Sequence, residues 1–290
     1  MANKLIPLAI SYDFDGTLAP GNMQERDFIP QIGMNKEAFW KEVGAESKKH
    51  DACSVLIYMK MMLEKARANK VPVRKTDFEA FGKKLSFFKG VLAYQDGERK
   101  KDGWFKRINK YGKESGVDVK HYIVSSGIRE MVAGTKIAEE FDQIYASSFC
   151  YDYHGIATWP ALAVNYTTKT QFLFRINKGD LHVYEHEKIN QHIPKNKRPV
   201  PFENMVFIGD GTTDVPCFRL IREQGGHAIA VYSPRKRGAK KRAEQFHNEG
   251  RVNFISTADY REGGHLDSLL KSIIDKIACD GRLTEHGKKG

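Results

Sequence analysis

The sequence predicts an α/β protein: a parallel sheet covered by helices on both faces, with an all-helical block inserted after the first strand. Three observations predict it. The apolar run Leu8-Ala9-Ile10-Ser11-Tyr12 ends in Asp13-Phe14-Asp15-Gly16-Thr17-Leu18, and far downstream Met205-Val206-Phe207-Ile208-Gly209 ends in Asp210-Gly211-Thr212-Thr213-Asp214. Around both, strand-like and helix-like patterns alternate, as in chains of βα units.

Residues 1–10 carry one lysine and a short apolar stretch interrupted by Pro7. That is too short for a signal peptide and reads as the first strand. Three helical patterns then follow without a strand between them, at 36–49, 52–69 and 76–88. The second repeats apolar residues at helical spacing: Val55, Leu56, Met59, Met62, Leu63 and Ala66. Thr76-Asp77-Phe78-Glu79 has the spacing of a capping box that opens the third.

From about residue 90 alternation resumes. Helices are expected at 103–115, 128–141, 168–177, 215–224, 239–248 and 266–278, and strands at 119–125, 143–151, 205–209, 228–232 and 252–255. Residues 155–165 suggest a short hairpin, 180–199 are polar with no clear period, and 281–290 read as a frayed tail.

At 290 residues and 41% hydrophobic, the chain is long enough for one large domain plus an insertion. No apolar run approaches the ~20 residues that span a bilayer. Cys53, Cys150, Cys217 and Cys279 lack metal-type spacing and read as reduced, mostly buried thiols of a cytoplasmic protein. The formal charge is +11, densest in Arg235-Lys236-Arg237-Gly238-Ala239-Lys240-Lys241-Arg242. That run reads as a solvated helix face, with a surface that draws in phosphate esters or nucleic acid as the alternative.

The acidic strand ends carry the chemistry. Paired carboxylates at the end of a buried strand are costly unless a cation or a reaction meets them. Two such strands in one parallel sheet gather four carboxylates at its C-terminal edge, a set that suits a hard divalent cation such as Mg²⁺. Asp13 can attack phosphorus, Asp15 can shuttle a proton, and Gly16 permits a sharp departure of the chain. Asp210 ends its strand, and the following turn brings Asp214 back toward the crevice, where it also precedes Val215-Pro216 as a helix cap. Ser125 ends another strand and is followed by Ser126 and Gly127 at a strand-to-helix turn, where a hydroxyl and free N–H groups hold a phosphate oxygen or simply cap a helix. Lys169 opens a helix, where the macrodipole disfavours a cation, so an anion is expected to meet it. Lys178 sits near that helix's C-terminus, where a lysine is locally favourable.

The ordered set Asp13/Asp15, Ser125, Lys169 and Asp210…Asp214 resembles the four motifs of the haloacid dehalogenase (HAD) superfamily, over residues 1–18 and about 90–260. The resemblance implies a Rossmann-like core at 1–18 and 90–290. It implies a helical cap domain at 19–89, placed as in the phosphoserine phosphatase-like branch. It implies Asp13 as nucleophile and Mg²⁺ ligand, and Asp15 as general acid/base that also offers its main-chain carbonyl to the metal. Ser125 and Lys169 would bind the transferring phosphoryl group, while Asp210 and Asp214 hold Mg²⁺. An aspartate at position 15 is similar to the phosphatase and phosphotransferase branches. The substrate-recognition acid of phosphoserine phosphatase has no secure counterpart at 20–26; Glu25 and Arg26 are the candidates.

The expected activity is therefore Mg²⁺-dependent hydrolysis of a small phosphorylated metabolite through an aspartyl-phosphate. Transfer to another acceptor, as in a mutase, uses the same residues. A nucleic-acid-binding role would rest on the basic run alone.

Overall fold

A computed structural model describes residues 5–287. The first strand, β1 (Ile6–Tyr12), is followed by five helices: α1 (Met23–Arg26), α2 (Phe28–Gln31), α3 (Lys36–His50), α4 (Ser54–Ala68) and α5 (Lys75–Lys83). A small ribbon, β2 (Tyr94–Asp96) and β3 (Arg99–Lys101), leads into α6 (Trp104–Glu114), β4 (Val117–Ile128) and α7 (Arg129–Ala133). Next come β5 (Gln143–Tyr151), β6 (Ala157–Leu162), α8 (Lys169–Lys178) and α9 (Glu187–Asn190). The chain ends in β7 (Met205–Gly209), α10 (Val215–Glu223), β8 (His227–Tyr232), α11 (Ala239–Asn248), β9 (Phe254–Thr257) and α12 (His265–Gly287).

Seven strands form one sheet in the order β6-β5-β4-β1-β7-β8-β9. All neighbours are parallel except β6, which turns back antiparallel on β5. The chain starts at the central strand, builds outward through β4 and β5, then returns to lay β7 on the other side of β1. That reversal opens a crevice above the C-terminal ends of β1 and β7, where ligands bind in such sheets. The register sets Tyr12 beside both Ile123 and Ile208, so Asp13, the end of β7 and residues Val124 and Ser125 of β4 come to one level.

Alternation along β1 divides the core in two. Leu8, Ile10 and Tyr12 face α6 and α12, in a cluster that includes Trp104, Phe105, Ile108, Leu270 and Ile274. Ala9 faces α8, α10 and α11 through Phe172, Leu173, Phe218 and Phe246. The first cluster continues without a break into the helical block, through Phe28, Phe39, Met59, Met62 and Phe78.

The block's last helix is docked on the sheet domain. Phe78 of α5 stacks on Phe149 of β5 with ring centroids 5.3 Å apart. The amide of Ala157 donates to Val73 O at 2.9 Å, and that of Lys75 to Gly155 O at 3.2 Å. Two glycines let α5 and α7 touch backbone to backbone. A β-carbon on Gly82 would lie 1.9 Å from Met131 O, and one on Gly134 would lie 2.0 Å from Glu79 O.

Several local expectations are corrected. The helix expected at 128–141 is only α7 plus a 3₁₀ turn at Ala138–Glu140, because β4 runs on to Ile128. Ser126 and Gly127 bulge from β4, since Ser125 pairs Ala146 while Ile128 pairs the next residue, Ser147. These residues therefore form a strand bulge instead of a helix start. Helix α5 begins one residue before Thr76 and ends at Lys83; Asp77, not Glu79, accepts from the cap amide, that of Arg74, at 2.8 Å. The hairpin at 155–165 is formed by β6 with β5, around a turn at Asp152–Gly155. Residues 281–287 continue α12, and residues 288–290 lie outside the described residues. Leu56 points outward from α4 while Tyr58 and Met61 are buried. Only Cys217 of the four cysteines is buried; Cys150 and Cys279 are exposed. The short helices α1 and α2 and the β2–β3 ribbon carry too few residues for a readable period. Among the described residues no helix is long and apolar enough to cross a membrane.

Candidate active site

Asp13 is the first residue past β1, and its amide donates to Ile208 O on β7 at 2.9 Å. Its Oδ1 accepts the Phe14 N–H at 2.8 Å and lies 3.1 Å from Lys169 Nζ. No donor among the described residues meets Oδ2, so one oxygen is held and the other is left to the crevice. The loop after it closes on itself, with Leu18 N–H donating to Phe14 O and Gly16 N–H to Ala19 O. Gly16 turns at φ +77°, and a β-carbon there would lie 2.3 Å from Asp210 Oδ2. Glycine is thus required twice, for the backbone angle and for the approach of the Asp210 carboxylate. Asp15 rises from the same loop, and its Oδ1 accepts the Met23 N–H at 3.0 Å.

Asp214 organises the opposite wall. Its Oδ2 accepts the amides of Asp210 at 3.1 Å and Gly211 at 3.0 Å, which shapes the turn after β7. Its Oδ1 accepts from Lys169 Nζ at 2.7 Å. Lys169 opens α8 and is fully buried. The turn before it is held by Asn165, whose Oδ1 accepts the amides of Thr167 and Thr168, both at 3.0 Å. Burial disfavours the ammonium, yet Asp13 and Asp214 outweigh it and hold Lys169 well above the usual lysine range.

The carboxylates crowd one another. Burial, then Asp214 and Asp13, push Asp210 up to about 7. Burial, then Asp13, raise Asp15 well above its ordinary value. Asp13, Asp210 and Asp214 can each bring one oxygen within 4.8 Å of the others. Three carboxyl groups gathered around one buried ammonium are hard oxygen donors at a spacing that fits a small divalent cation.

The strand bulge supplies the third wall. Ser125 is buried and its Oγ accepts the Gly127 N–H at 3.2 Å. The Ser126 Oγ is buried without a partner among the described residues. Gly127 packs beside Asp15, with its missing β-carbon 3.2 Å from Asp15 Oδ2. Asp13, Asp15, Gly16, Ser125, Ser126, Gly127, Asp210 and Gly211 line one cavity of about 720 Å³, whereas the fully buried Lys169 and Asp214 do not.

The helical block roofs that cavity. Tyr58 of α4 donates to Ser126 O at 2.5 Å, joining the roof to the bulge. Glu25 lines the cavity, and its Oε1 accepts from Asn22 Nδ2 at 2.6 Å and Trp40 Nε1 at 2.8 Å. Arg26, its neighbour on α1, is exposed and lies outside the cavity, because consecutive residues of one helical turn point apart. Lys178 is remote from the crevice; its Nζ donates to Ile189 O at 2.5 Å and Gln191 O at 2.9 Å. Tyr58, Trp40, Gln24 and Asn165 also line the cavity and escaped sequence reading. Tyr58 and Trp40 look like ordinary core aromatics of amphipathic helices. Asn165 had a readable signal, an Asn-x-Thr-Thr turn just before a helix.

The comparisons converge on one family. The model of the haloacid dehalogenase-like hydrolases matches residues 10–219. An uncharacterized protein of Borreliella burgdorferi is 32% identical over 301 residues, covering 93% of this chain and 96% of its own. A HAD family hydrolase of Salmonella enterica subsp. enterica serovar Typhi superposes with a TM-score of 0.55 at 16% identity, over 93% of this chain and 72% of that one. A phosphoserine phosphatase, solved as a phospho-aspartyl intermediate analogue, gives 0.53 at 18% identity, over 92% and 99%. At such identities these two structures share the fold.

Proposed function

This chain belongs to the haloacid dehalogenase-like hydrolases, and from that premise we propose that it is a Mg²⁺-dependent phosphatase acting on a small phosphate monoester through an aspartyl-phosphate. The observation that carries the reading is the buried Lys169 ammonium between Asp13 and Asp214, with Asp15 and Asp210 beside them at the ends of adjacent strands. A cation in that position neutralises an incoming phosphoryl group and holds the attacking carboxylate still.

In the first step an Asp13 oxygen attacks phosphorus, and the bond from phosphorus to the ester oxygen breaks. Asp15 gives its proton to the departing alkoxide. In the second step Asp15 takes a proton from water as that water attacks the same phosphorus. Asp13 is released and inorganic phosphate leaves. Lys169, the Ser125 hydroxyl and the amides of the bulge receive the equatorial phosphoryl oxygens. Asp13, the Asp15 main-chain carbonyl and Asp210 would hold Mg²⁺, with Asp214 completing the acidic set while it fixes the turn and Lys169. When bound, the ion supplies positive charge at the phosphoryl group.

The division into a core at 1–18 and 90–290 and a cap at 19–89 is part of this proposal. The cap would exclude water during the first step and select the alcohol, with Glu25 and the α3 and α4 side chains nearest the leaving group. Four unpaired cysteines support a reducing, cytoplasmic setting.

The test is hydrolysis of a panel of sugar phosphates, phospho-amino acids, nucleotides and phosphoalcohols, with Mg²⁺ and with excess EDTA, together with acid-quench mass spectrometry. The expected result is metal-dependent phosphate release and a phosphoryl adduct on Asp13 that Asp13→Asn abolishes, with a loss of turnover on the order of 10³ or more. Full turnover by Asp13→Asn, or undiminished activity in EDTA, sinks the mechanism. Preferential transfer to added alcohols over water would reassign the reaction as phosphotransfer.

A further inference from the structure

The basic run at 235–242 is not one surface. Arg235, Lys236 and Arg242 line the same cavity as Asp13 and Asp15, whereas Arg237, Lys240 and Lys241 do not. Lys240 is spent on its own helix, 3.6 Å from Glu244. Among the described residues neither Arg235 nor Arg242 pairs with a carboxylate, and the Arg242 Nε is buried without an acceptor. Lys236 Nζ reaches only Asp210, at 3.8 Å, and stays largely exposed.

We propose that Arg235, Lys236 and Arg242 form a subsite for a second anionic group of the substrate, so that the preferred esters are small molecules carrying two phosphate-like groups. The inference rests on the phosphatase reading for its catalytic consequence, but the binding it describes stands apart from turnover. The loop between β8 and α11 carries Arg235 and Lys236, and the first turn of α11 carries Arg242, to the cavity that Asp210 also lines. Lys236 is answered in part by Asp210, whereas Arg235 and Arg242 reach no carboxylate among the described residues, so positive charge on this side of the cavity is left for a ligand to answer. The cavity of about 720 Å³ has room far beyond one phosphoryl group, and Lys36 of α3 faces it from the roof. Arg235 and Lys236 are exposed and Arg242 is half-buried, and all three line the cavity that holds Asp13 and Asp15 while Arg237, Lys240 and Lys241 lie outside it. That placement suits a compact dianion reaching from that site better than a nucleic-acid backbone.

The test is calorimetric titration of the full chain, with Mg²⁺ present, by alkane-1,n-bisphosphonates and by the matching monophosphonates. Neither ligand is hydrolysed, so the result does not depend on catalysis. The wild-type chain should bind the best bisphosphonate at least about tenfold more tightly than its monophosphonate, the contribution of one or more charge-assisted hydrogen bonds. Arg235→Gln and Arg242→Gln should each erase most of that preference, while Arg237→Gln, on the same loop but outside the cavity, should keep it. Circular dichroism checks that the variants fold, and Arg242→Lys should restore part of the preference if the full truncation does not fold. Equal affinity for both ligands, or a preference untouched by both cavity variants, overturns the subsite. Salt-sensitive oligonucleotide binding that depends equally on Arg237 and Lys241, without a bisphosphonate preference, overturns it in favour of a nucleic-acid surface. A bisphosphonate preference in a chain that hydrolyses no ester would keep the subsite and sink the phosphatase.

Discussion

Lys169 Nζ lies 2.7 Å from Asp214 Oδ1 with both side chains sealed from solvent, and the same nitrogen lies 3.1 Å from the Asp13 oxygen. One buried ammonium therefore ties the end of β1 to the turn after β7. Lys169→Ala should cost turnover by about 10²–10³, as for loss of one charge-stabilising group in a preorganised site. It should also destabilise the fold by about 3–5 kcal/mol, because the partner carboxylates lose their buried counter-charge. Lys178→Ala should leave turnover nearly intact, since Lys178 anchors the segment at 189–191. Steady-state kinetics and urea unfolding of both variants check this; a crippled Lys178→Ala with an active Lys169→Ala would reverse the assignment.

Gly16→Ala tests the crossing of the two acidic loops. The new β-carbon meets the Asp210 carboxylate and must sit at φ +77°. The backbone strain alone is worth about 1–2 kcal/mol. The larger effect should be on the metal, because Asp210 has to move. The expected outcome is a raised Mg²⁺ concentration for half-maximal activity, read from a metal titration, with secondary structure retained.

Gly82→Ala tests the docking of α5 on α7. The β-carbon would run into Met131 O, a backbone atom that cannot swing away. Overpacking of this kind typically costs about 1–3 kcal/mol. Gly44→Ala on α3 is the matched control, because nothing lies within 4 Å of its β-carbon. That change should stabilise by about 0.5–1 kcal/mol through helix propensity alone. Chemical denaturation that ranks the two variants the other way would refute the packing argument.

His121 should make stability depend on pH. Its ring is buried with Nδ1 3.1 Å from Tyr12 Oη and Nε2 2.8 Å from Asn109 Oδ1. Burial, then Lys120, lower it from 6.5 to about 3. Between those values the unfolded chain takes up a proton that the folded chain refuses, so the contribution is complete above pH 6.5 and is lost as pH falls toward 3. The slope should reach at most about 1.4 kcal/mol per pH unit in that window. Urea unfolding of wild type and His121→Asn at pH 7.5 and 5.0 measures it. The variant should be less stable at pH 7.5 but lose less on acidification; an equal loss would clear His121 of the effect.

Asp13, Asp15, Asp210 and the sheet that carries them were legible in the chain, because a buried strand ending in carboxylates has few physical excuses. Lys169 was legible for the same reason, as a cation at a helix start where only an anion could justify it. What the sequence determined was local: which segments are strands or helices, and which residues carry charges that their surroundings must answer. Several features arose only when distant segments met. The Ser126–Gly127 bulge exists because β5 offers Ala146 and Ser147 as pairing partners. Tyr58 became a roof contact because α4 crosses that bulge, and Glu25 became a brace because Trp40 falls within its reach. The basic run split into cavity and solvent halves because the loop after β8 turns toward Asp210. Periodicity and residue chemistry act within a few residues of the chain, so they are written in it, whereas partners, register and burial are relations between segments that only packing brings together.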